Sequence, residues 1–289
     1  LFLLLYPLIE GRGAGWPLWM YAAIILSIIL IVPFIFFERR LSTYNTKNGK
    51  RLHSASKAPI VPLLLFKDRS FVIGTSIIIV FYIGYTAFIF VLTFYLQNGL
   101  GLSPLSSGLT FLPLGVGFLV SSSLTPKIVP KLDAGILKIG AIVIIIGYEL
   151  LIITAHQESN IGLRWSQLLE YMFIIGIGNG FLIVPLINII LSRVKDQQYA
   201  GAASGVYNTM TAIGNAMGIA FIGSIFFGLI GTGTSPATGD TGSHTNGSYN
   251  HVRIHHFTDS LISSTLYTIG LGIATLFMVF LLPSHTSKE

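Results

Sequence analysis

GAASGVYNTMTAIGNAMGIAFIGSIFFGLI, residues 201–230, decides how this chain can fold. Its thirty residues carry no charged side chain. At about 1.5 Å of rise per residue, a helix of that length crosses the roughly 30 Å hydrocarbon core of a bilayer. Small residues and one amide recur at every fourth position: Ser204, Asn208, Ala212, Ala216, Ala220, Ser224 and Gly228. Gly214 and Gly218 add a second small pair beside this ridge. Because small surfaces let helix backbones approach closely in lipid, the stretch predicts a central transmembrane helix of a bundle.

The composition of the whole chain indicates the same class of protein. Of its 289 residues, 52% are hydrophobic and only 10% are charged, whereas soluble proteins carry about 25% charged residues. The 17 basic residues outnumber the 11 acidic ones, but they lie mainly in loops between apolar stretches, as in membrane proteins. Without cysteine the chain has no disulfides or thiolate metal sites. We therefore expect a multi-pass protein of the cell membrane, in contact with the lipid bilayer and without a nucleic-acid partner.

Apolar stretches divide the chain into membrane spans. Leu1 to Ile9 is too short to cross a bilayer and lacks the basic start of a signal peptide, so we expect it to be part of a span in a longer protein. Leu18 to Phe37 forms a complete span that stops at Glu38. Six further spans are predicted at about 71–97, 106–124, 136–154, 166–191, 203–230 and 260–282.

These spans group into three regions. Residues 1–37 are predicted to form a truncated transmembrane hairpin, and residues 38–70 a basic loop that ends in a short interfacial helix. Residues 71–289 are predicted to form a six-helix bundle with a long outer loop at 231–259. Lysine and arginine concentrate in alternate loops, which the positive-inside rule assigns to the cytoplasm: 38–70, 125–138, 192–200 and 283–289.

Six short strings follow one another along the chain in a characteristic order. They are PLIEGR (7–12), GWPLW (15–19), LFKDRSF (65–71), YLQNGLGLSP (95–104), GLTFLPL (108–114) and GAASG (201–205). In this order they resemble the fourteen-span drug:proton antiporters of the major facilitator superfamily. The resemblance implies two six-helix bundles that rock about a central cavity, with two helices inserted between them. This chain would then supply the inserted hairpin and the C-terminal six-helix bundle, and would need the missing N-terminal bundle as its partner.

The same resemblance assigns positions to the spans. It implies that 71–97, 106–124, 166–191 and 203–230 line the cavity. The spans at 136–154 and 260–282 would lie at the periphery.

Two carboxylates lie inside predicted spans, both toward the outer side: Glu149 and Glu170. An ionisable residue within the bilayer is costly and marks a functional candidate. A buried carboxyl group can exchange a proton near neutral pH, as a proton-coupled carrier requires. We favour Glu170 for proton coupling because its helix is expected to line the cavity. The alternative is an interfacial glutamate paired with Arg164 or with water. Glu149 is the weaker candidate because its helix is expected to be peripheral.

Amides and aromatic rings are the candidates for contact with a small amphipathic substrate. Four asparagines lie on two successive predicted cavity helices: Asn179, Asn188, Asn208 and Asn215. They could instead bond helix to helix, at about 0.6 kcal/mol each in a membrane. Tyr82 and Tyr85 belong to an aromatic-rich span, where ring faces would suit lipophilic cations or simply contact lipid and neighbouring helices.

Two prolines lie in the middle of predicted spans, Pro113 and Pro185. Each removes a backbone hydrogen bond and favours a kink, so both are hinge candidates. Gly176, Gly178 and Gly180 precede Pro185, and we interpret them as a close-packing surface that could also bend. A phosphate-binding loop is disfavoured because no strand precedes these glycines.

Taken together, the residues and the resemblance predict an exporter of amphipathic or lipophilic compounds that is driven by the proton gradient and needs no cofactor. The alternatives are a carrier of non-drug substrates in the same superfamily and a non-transporting fragment or assembly partner. An enzyme is disfavoured because no histidine lies within a span to activate Ser204 in the string AASG. No metal site is expected, since the outer-loop histidines lack regular ligand spacing: His244, His251, His255 and His256.

Overall fold

The computed structural model describes residues 6–7, 17–47, 66, 68–132, 134–157, 165–192, 200–231 and 246–282. Within these ranges the chain is helical and contains no strand. The helices are α1 (Leu18–Lys47), α2 (Arg69–Phe94), a π-helix (Tyr95–Gly99), α3 (Pro104–Leu109), α4 (Leu112–Leu132), α5 (Gly135–Gln157), α6 (Trp165–Ser192), α7 (Ala200–Gly231) and α8 (Asn246–Phe280).

Several of these helices are long and apolar enough to cross a membrane. Within the described residues, five stretches meet that criterion: Arg69–Gly99, Pro104–Leu132, Gly135–Gln157, Ser166–Leu191 and Phe257–Phe280. α7 is continuous over the whole charge-free stretch quoted above. The predicted all-α membrane fold is confirmed.

Two predicted loops are partly helical. α1 was expected to stop at Phe37 but continues to Lys47, so the basic 38–70 segment begins as helix. α8 begins at Asn246, so the second half of the predicted 231–259 loop is also helical. Charged residues end the contact with lipid but not the backbone hydrogen bonding, because adding one residue to an existing helix costs little. The predicted interfacial helix before residue 71 lies mostly outside the described residues, as does the loop histidine His244.

The predicted 106–124 span is interrupted near its start. Ser103 caps α3, accepting a hydrogen bond from the backbone N–H of Ser106 at 3.2 Å. The chain then turns at Thr110 and Phe111 before α4 begins at Leu112. Pro113 is therefore the second residue of α4 and not the mid-helix kink predicted, a position where proline fits because its missing N–H is not needed. Pro185, in contrast, lies buried inside the continuous helix α6.

The helices pack as two groups of three. α6 lies between α4 and α5, and α2 lies between α7 and α8. Contacts of α5 with α8, and of α2 with α6, join the two groups. The core lies between them, where the rings of Phe88 and Tyr148 are 4.7 Å apart and both side chains are buried.

Glycines bring α4, α5 and α6 into backbone contact. A Cβ atom at Gly176 would overlap the carbonyl oxygen of Leu114, and one at Gly117 would lie 2.9 Å from the backbone nitrogen of Ile177. On the other side of α6, a Cβ atom at Gly178 would lie 2.8 Å from the carbonyl oxygen of Gly140. The close-packing interpretation of the α6 glycines is confirmed.

The small residues of α7 also pack against a neighbour, but along a different line from the one predicted. Cβ atoms at Gly214 and Gly218 would lie 2.9 and 2.5 Å from carbonyl oxygens of α2. Of the every-fourth ridge, Ala216 is buried whereas Asn208 is exposed. Positions four apart advance by about 40° around a helix, so a row of seven rotates away from any one partner.

Candidate functional site

A cleft of about 470 Å³ lies between α2, α7 and the start of α4. This volume is typical of small-molecule sites, which range from about 300 to 1,000 Å³. The cleft, here termed the aromatic cleft, is lined by Tyr82, Tyr85, Thr86, Ile89, Phe111, Leu114, Asn215 and Ile219. None of these eight residues carries a formal charge.

The tyrosine rings of the aromatic cleft are held by their neighbours on α2. Tyr85 stacks on Phe81, with ring centroids 5.7 Å apart and an interplanar angle of 15°. Tyr82 meets both rings edge-on, at 5.2 Å from Phe81 and 6.2 Å from Tyr85. Offset and edge-to-face contacts of this kind are favourable and restrict ring orientation. The cleft therefore presents preformed aromatic surface to a ligand.

Two polar contacts bridge the walls of the aromatic cleft. The hydroxyl groups of Tyr82 on α2 and Tyr207 on α7 lie 3.3 Å apart. The Thr86 hydroxyl donates a hydrogen bond to Oδ1 of Asn215 at 2.5 Å. These contacts are possible because glycines on α7 already bring the two backbones close. The site thus combines ring faces and aliphatic side chains with a few neutral polar groups.

A second cleft of about 440 Å³ lies on the other side of α4, between α4 and α6. This acidic cleft is lined by Leu112, Pro113, Val116, Leu169, Glu170 and Phe173. Glu170 is exposed in it and is the sole ionisable group among these six residues. The two clefts share no lining residue, although α4 contributes a wall to each.

The structure brings together three of the predicted site residues. Tyr82, Tyr85 and Asn215 line the aromatic cleft, whereas Glu170 and Pro113 line the acidic cleft. Three of the four helices that the resemblance assigned to the cavity are therefore represented in the aromatic cleft, and α6 contributes no lining residue to it.

The other predicted residues lie elsewhere. Asn188 and Asn208 are exposed and line neither cleft. Asn179 is only 2% exposed, and its Oδ1 has no hydrogen-bond partner within the described part of the chain. Glu149 is exposed on the surface of α5 that also carries Ile142 and Ile146.

Several lining residues were not predicted. Thr86 and Ile89 follow Tyr82 by four and seven residues, so helical spacing alone could have placed them on the same face of α2. Phe111 and Leu114 had no such signal, because the interruption between α3 and α4 sets their direction. Tyr207, the partner of Tyr82, lies on a different helix and is identified only by the three-dimensional contact.

Comparison with known proteins gives one family and several relatives. Residues 2–219 match the family described as Major Facilitator Superfamily. The chain is 30% identical over 244 residues to the probable actinorhodin transporter of Streptomyces coelicolor, covering 84% of this chain and 40% of that protein.

Two further relatives show similar levels of identity. The puromycin resistance protein pur8 of Streptomyces alboniger is 29% identical over 243 residues, covering 81% of this chain and 44% of the relative. The multidrug transporter protein MdtP of Bacillus subtilis is 26% identical over 216 residues, covering 74% and 36%. The chain thus spans less than half the length of each of these three relatives.

Proposed function

Since the chain belongs to the major facilitator superfamily, we propose that it takes part in the export of amphipathic aromatic compounds. The superfamily consists of membrane transport proteins, so the chain is a transporter and not an enzyme. Its relatives are named for transport of, or resistance to, antibiotics and other drugs. Export of a drug-like compound is therefore the activity we assign to it.

The aromatic cleft is the observation that carries this proposal. Tyr82 and Tyr85 offer ring faces, and Thr86 and Asn215 add neutral polar groups to an otherwise apolar wall. A ligand that buries an aromatic body there and keeps a polar group at the amide satisfies both kinds of surface. Amphipathic compounds have this combination of surfaces.

We further propose that the open side of the aromatic cleft faces a second helix bundle, as in the fourteen-span antiporters that the sequence resembles. Substrate would then lie between the two bundles, and rocking of one bundle against the other would expose it to alternate sides of the membrane. The exposed leucines and valines of α4 provide apolar surface for that partner or for lipid.

Proton coupling is part of the same proposal, with Glu170 as the proton acceptor. The other five lining residues of the acidic cleft are apolar, so a closure that buried the exposed carboxyl group against them would be more favourable with the group neutral. α4 is the common wall: its Leu112 and Val116 line the acidic cleft, and its Leu114, with Phe111 just before the helix, lines the aromatic cleft. A movement of α4 upon protonation would therefore change the shape of the aromatic cleft.

The test is efflux of the uncharged fluorescent dye Nile red from cells that produce the complete natural protein containing this sequence. We expect faster dye loss than in cells without the protein, and we expect a protonophore to abolish the difference. The Tyr82→Ala/Tyr85→Ala double variant is the matched control, because it removes aromatic surface from the cleft and leaves Glu170 in place. Equal dye loss with and without the protein would refute the proposal.

A further inference from the structure

Thr86 differs from the other described threonines of its helix in where its hydroxyl group is bonded. The hydroxyls of Thr75 and Thr93 donate to carbonyl oxygens one turn earlier on α2, at 2.9 and 2.7 Å. The Thr86 hydroxyl instead donates to Oδ1 of Asn215 on α7. A threonine in a helix ordinarily has a backbone carbonyl of its own helix available as an acceptor. The Thr86 hydroxyl therefore does not need Asn215 as an acceptor, and the contact instead restricts the orientation of the Asn215 amide.

The contact fixes which end of the Asn215 side chain is bonded to α2. A carboxamide has one oxygen acceptor and two N–H donors. Because Thr86 donates to the oxygen, the Nδ2 group is left with its donors, and it has no hydrogen-bond partner within the described residues. Asn215 is half-buried and lines the aromatic cleft. A ligand that reaches Nδ2 from the cleft meets a hydrogen-bond donor there.

The remaining lining residues offer no counter-charge to a ligand. No carboxylate, ammonium or guanidinium group is among the eight residues of the cleft. A charged ligand would lose its hydration on this surface without gaining a counter-charge from these residues, which is unfavourable in an apolar site. The hydroxyl of Tyr82 is already within hydrogen-bond distance of the Tyr207 hydroxyl. The Asn215 amide and the Tyr85 hydroxyl are thus the directional contacts that the cleft offers, and the amide is held in place by Thr86.

We infer that Asn215 donates a hydrogen bond to the substrate, that Thr86 is the positioning residue that turns the amide toward it, and that the aromatic cleft selects uncharged aromatic compounds bearing an acceptor oxygen. That the bound compound is a transported substrate rests on the proposed export function, whereas the binding selectivity does not depend on that function. The chemistry that fits is an aromatic ketone, with its rings against Tyr82 and Tyr85 and its carbonyl oxygen at Asn215.

The test compares two ligands that differ in a single group. Fluorenone has a carbonyl oxygen where fluorene has a methylene group, and both are uncharged tricyclic compounds. Binding of each to the purified protein in lipid nanodiscs is measured by equilibrium dialysis, with empty nanodiscs subtracted. We expect the wild-type protein to prefer fluorenone by about threefold, the value for one polar contact in a membrane protein.

Two substitutions at one position separate positioning from packing. Thr86→Val keeps the shape of the side chain but removes the hydroxyl, and it should abolish the preference for fluorenone. Thr86→Ser keeps the hydroxyl and should retain the preference. Asn215→Leu should abolish it as well. Thermal unfolding of each variant in the same nanodiscs verifies that the fold is intact.

The inference is overturned if the wild-type protein does not distinguish the two compounds, or if Thr86→Val distinguishes them as the wild type does. Tighter binding of tetraphenylphosphonium than of fluorenone would overturn the selectivity for uncharged ligands. Failure of dye efflux together with a Thr86-dependent preference would remove the export function and leave the binding inference standing. Dye efflux by a protein whose preference for fluorenone does not depend on Thr86 would remove the binding inference and leave the export function standing.

Discussion

The aromatic cleft and the acidic cleft lie on opposite sides of one helix, and their second walls differ in chemistry. Leu114 of α4 and Phe111 in the turn before it line the aromatic cleft with rings, a hydroxyl and an amide of α2 and α7. Leu112 and Val116 of α4 line the acidic cleft with a wall of α6 that carries one carboxylate. Neutral polar groups can be placed deep in a bundle when they bond to one another, as Thr86 does. The carboxylate, by contrast, lies exposed near the start of α6.

The helices that form the two clefts are also joined in different ways. α4 and α6 approach through Gly117, Gly176 and Gly180, with no room for a Cβ atom. α2 and α7 also approach through glycines, but two side-chain contacts bridge them as well. The proposed ligand-binding surface and the exposed carboxylate therefore lie in separate clefts, and α4 contributes lining residues to both.

The largest effect is expected from the contact that positions α4 for both clefts. Gly117→Ala would place a Cβ atom against backbone atoms of Phe173 and Ile177 that cannot yield. Overpacking of this kind costs about 1–3 kcal/mol, so the melting temperature in detergent should fall by several degrees. Gly115→Ala is the control, because a Cβ atom at Gly115 meets nothing within 4 Å on the same helix. Equal melting temperatures for the two variants would contradict the packing described here.

The next effect concerns the acidic cleft alone. Glu170→Gln keeps the size of the side chain but removes its ability to exchange a proton, so it should abolish the protonophore-sensitive part of dye efflux. Binding of ligand to the aromatic cleft should remain, because the two clefts share no lining residue. Glu149→Gln, on an exposed surface outside both clefts, should leave efflux unchanged. Undiminished gradient-driven efflux by Glu170→Gln would remove this carboxylate from the mechanism.

A smaller effect is expected at the ring wall of the aromatic cleft. Tyr85→Ala removes a stacked ring and should weaken binding of an aromatic ligand by about two- to tenfold, since aromatic contacts contribute roughly 0.5–1.5 kcal/mol. Tyr85→Phe keeps the ring and should bind like the wild type. The ligand affinities of the two variants are measured by equilibrium dialysis and compared with that of the wild type. If both variants lost affinity equally, the hydroxyl rather than the ring face would be the important group.

The smallest effect separates two amides on one helix. Asn215→Leu should weaken binding of a carbonyl-bearing ligand by about threefold, the value of one polar contact in a membrane. Asn208→Leu should have no effect, because Asn208 is exposed and lines neither cleft. The same dialysis measurement applies to both variants. If Asn208→Leu and Asn215→Leu lost affinity equally, the claim that Asn215 contacts the ligand and Asn208 does not would be wrong.

Part of the candidate site could be predicted from residue type and spacing. An uncharged span rich in rings indicated Tyr82 and Tyr85, and an amide in a charge-free helix indicated Asn215. The same reasoning gave Asn179, Asn188 and Asn208 equal weight, although they lie in the core or on exposed surfaces. Amide identity shows that a residue needs a partner or water, but it does not show which way the residue faces.

The prediction for Glu170 was limited in a similar way. Its helix was expected to line the cavity, and the residue does line a cleft, but a different one from that of the tyrosines. A helix in a bundle has several faces, and 3.6 residues per turn distribute neighbouring positions among all of them. Only the direction of packing against α4 and α5 shows which face carries the carboxylate.

The sequence by itself determined that this chain is an all-α, multi-pass membrane protein, because long uncharged stretches have no other stable arrangement in a bilayer that satisfies the backbone. It also indicated the family. Only the tertiary structure decided that α4 separates two clefts, that Thr86 bonds to Asn215, and that glycines rather than the every-fourth ridge form the helix contacts. In lipid, apolar side chains gain little from facing one neighbour rather than another, so the orientation of each helix depends on close packing and polar contacts that form only when the helices meet.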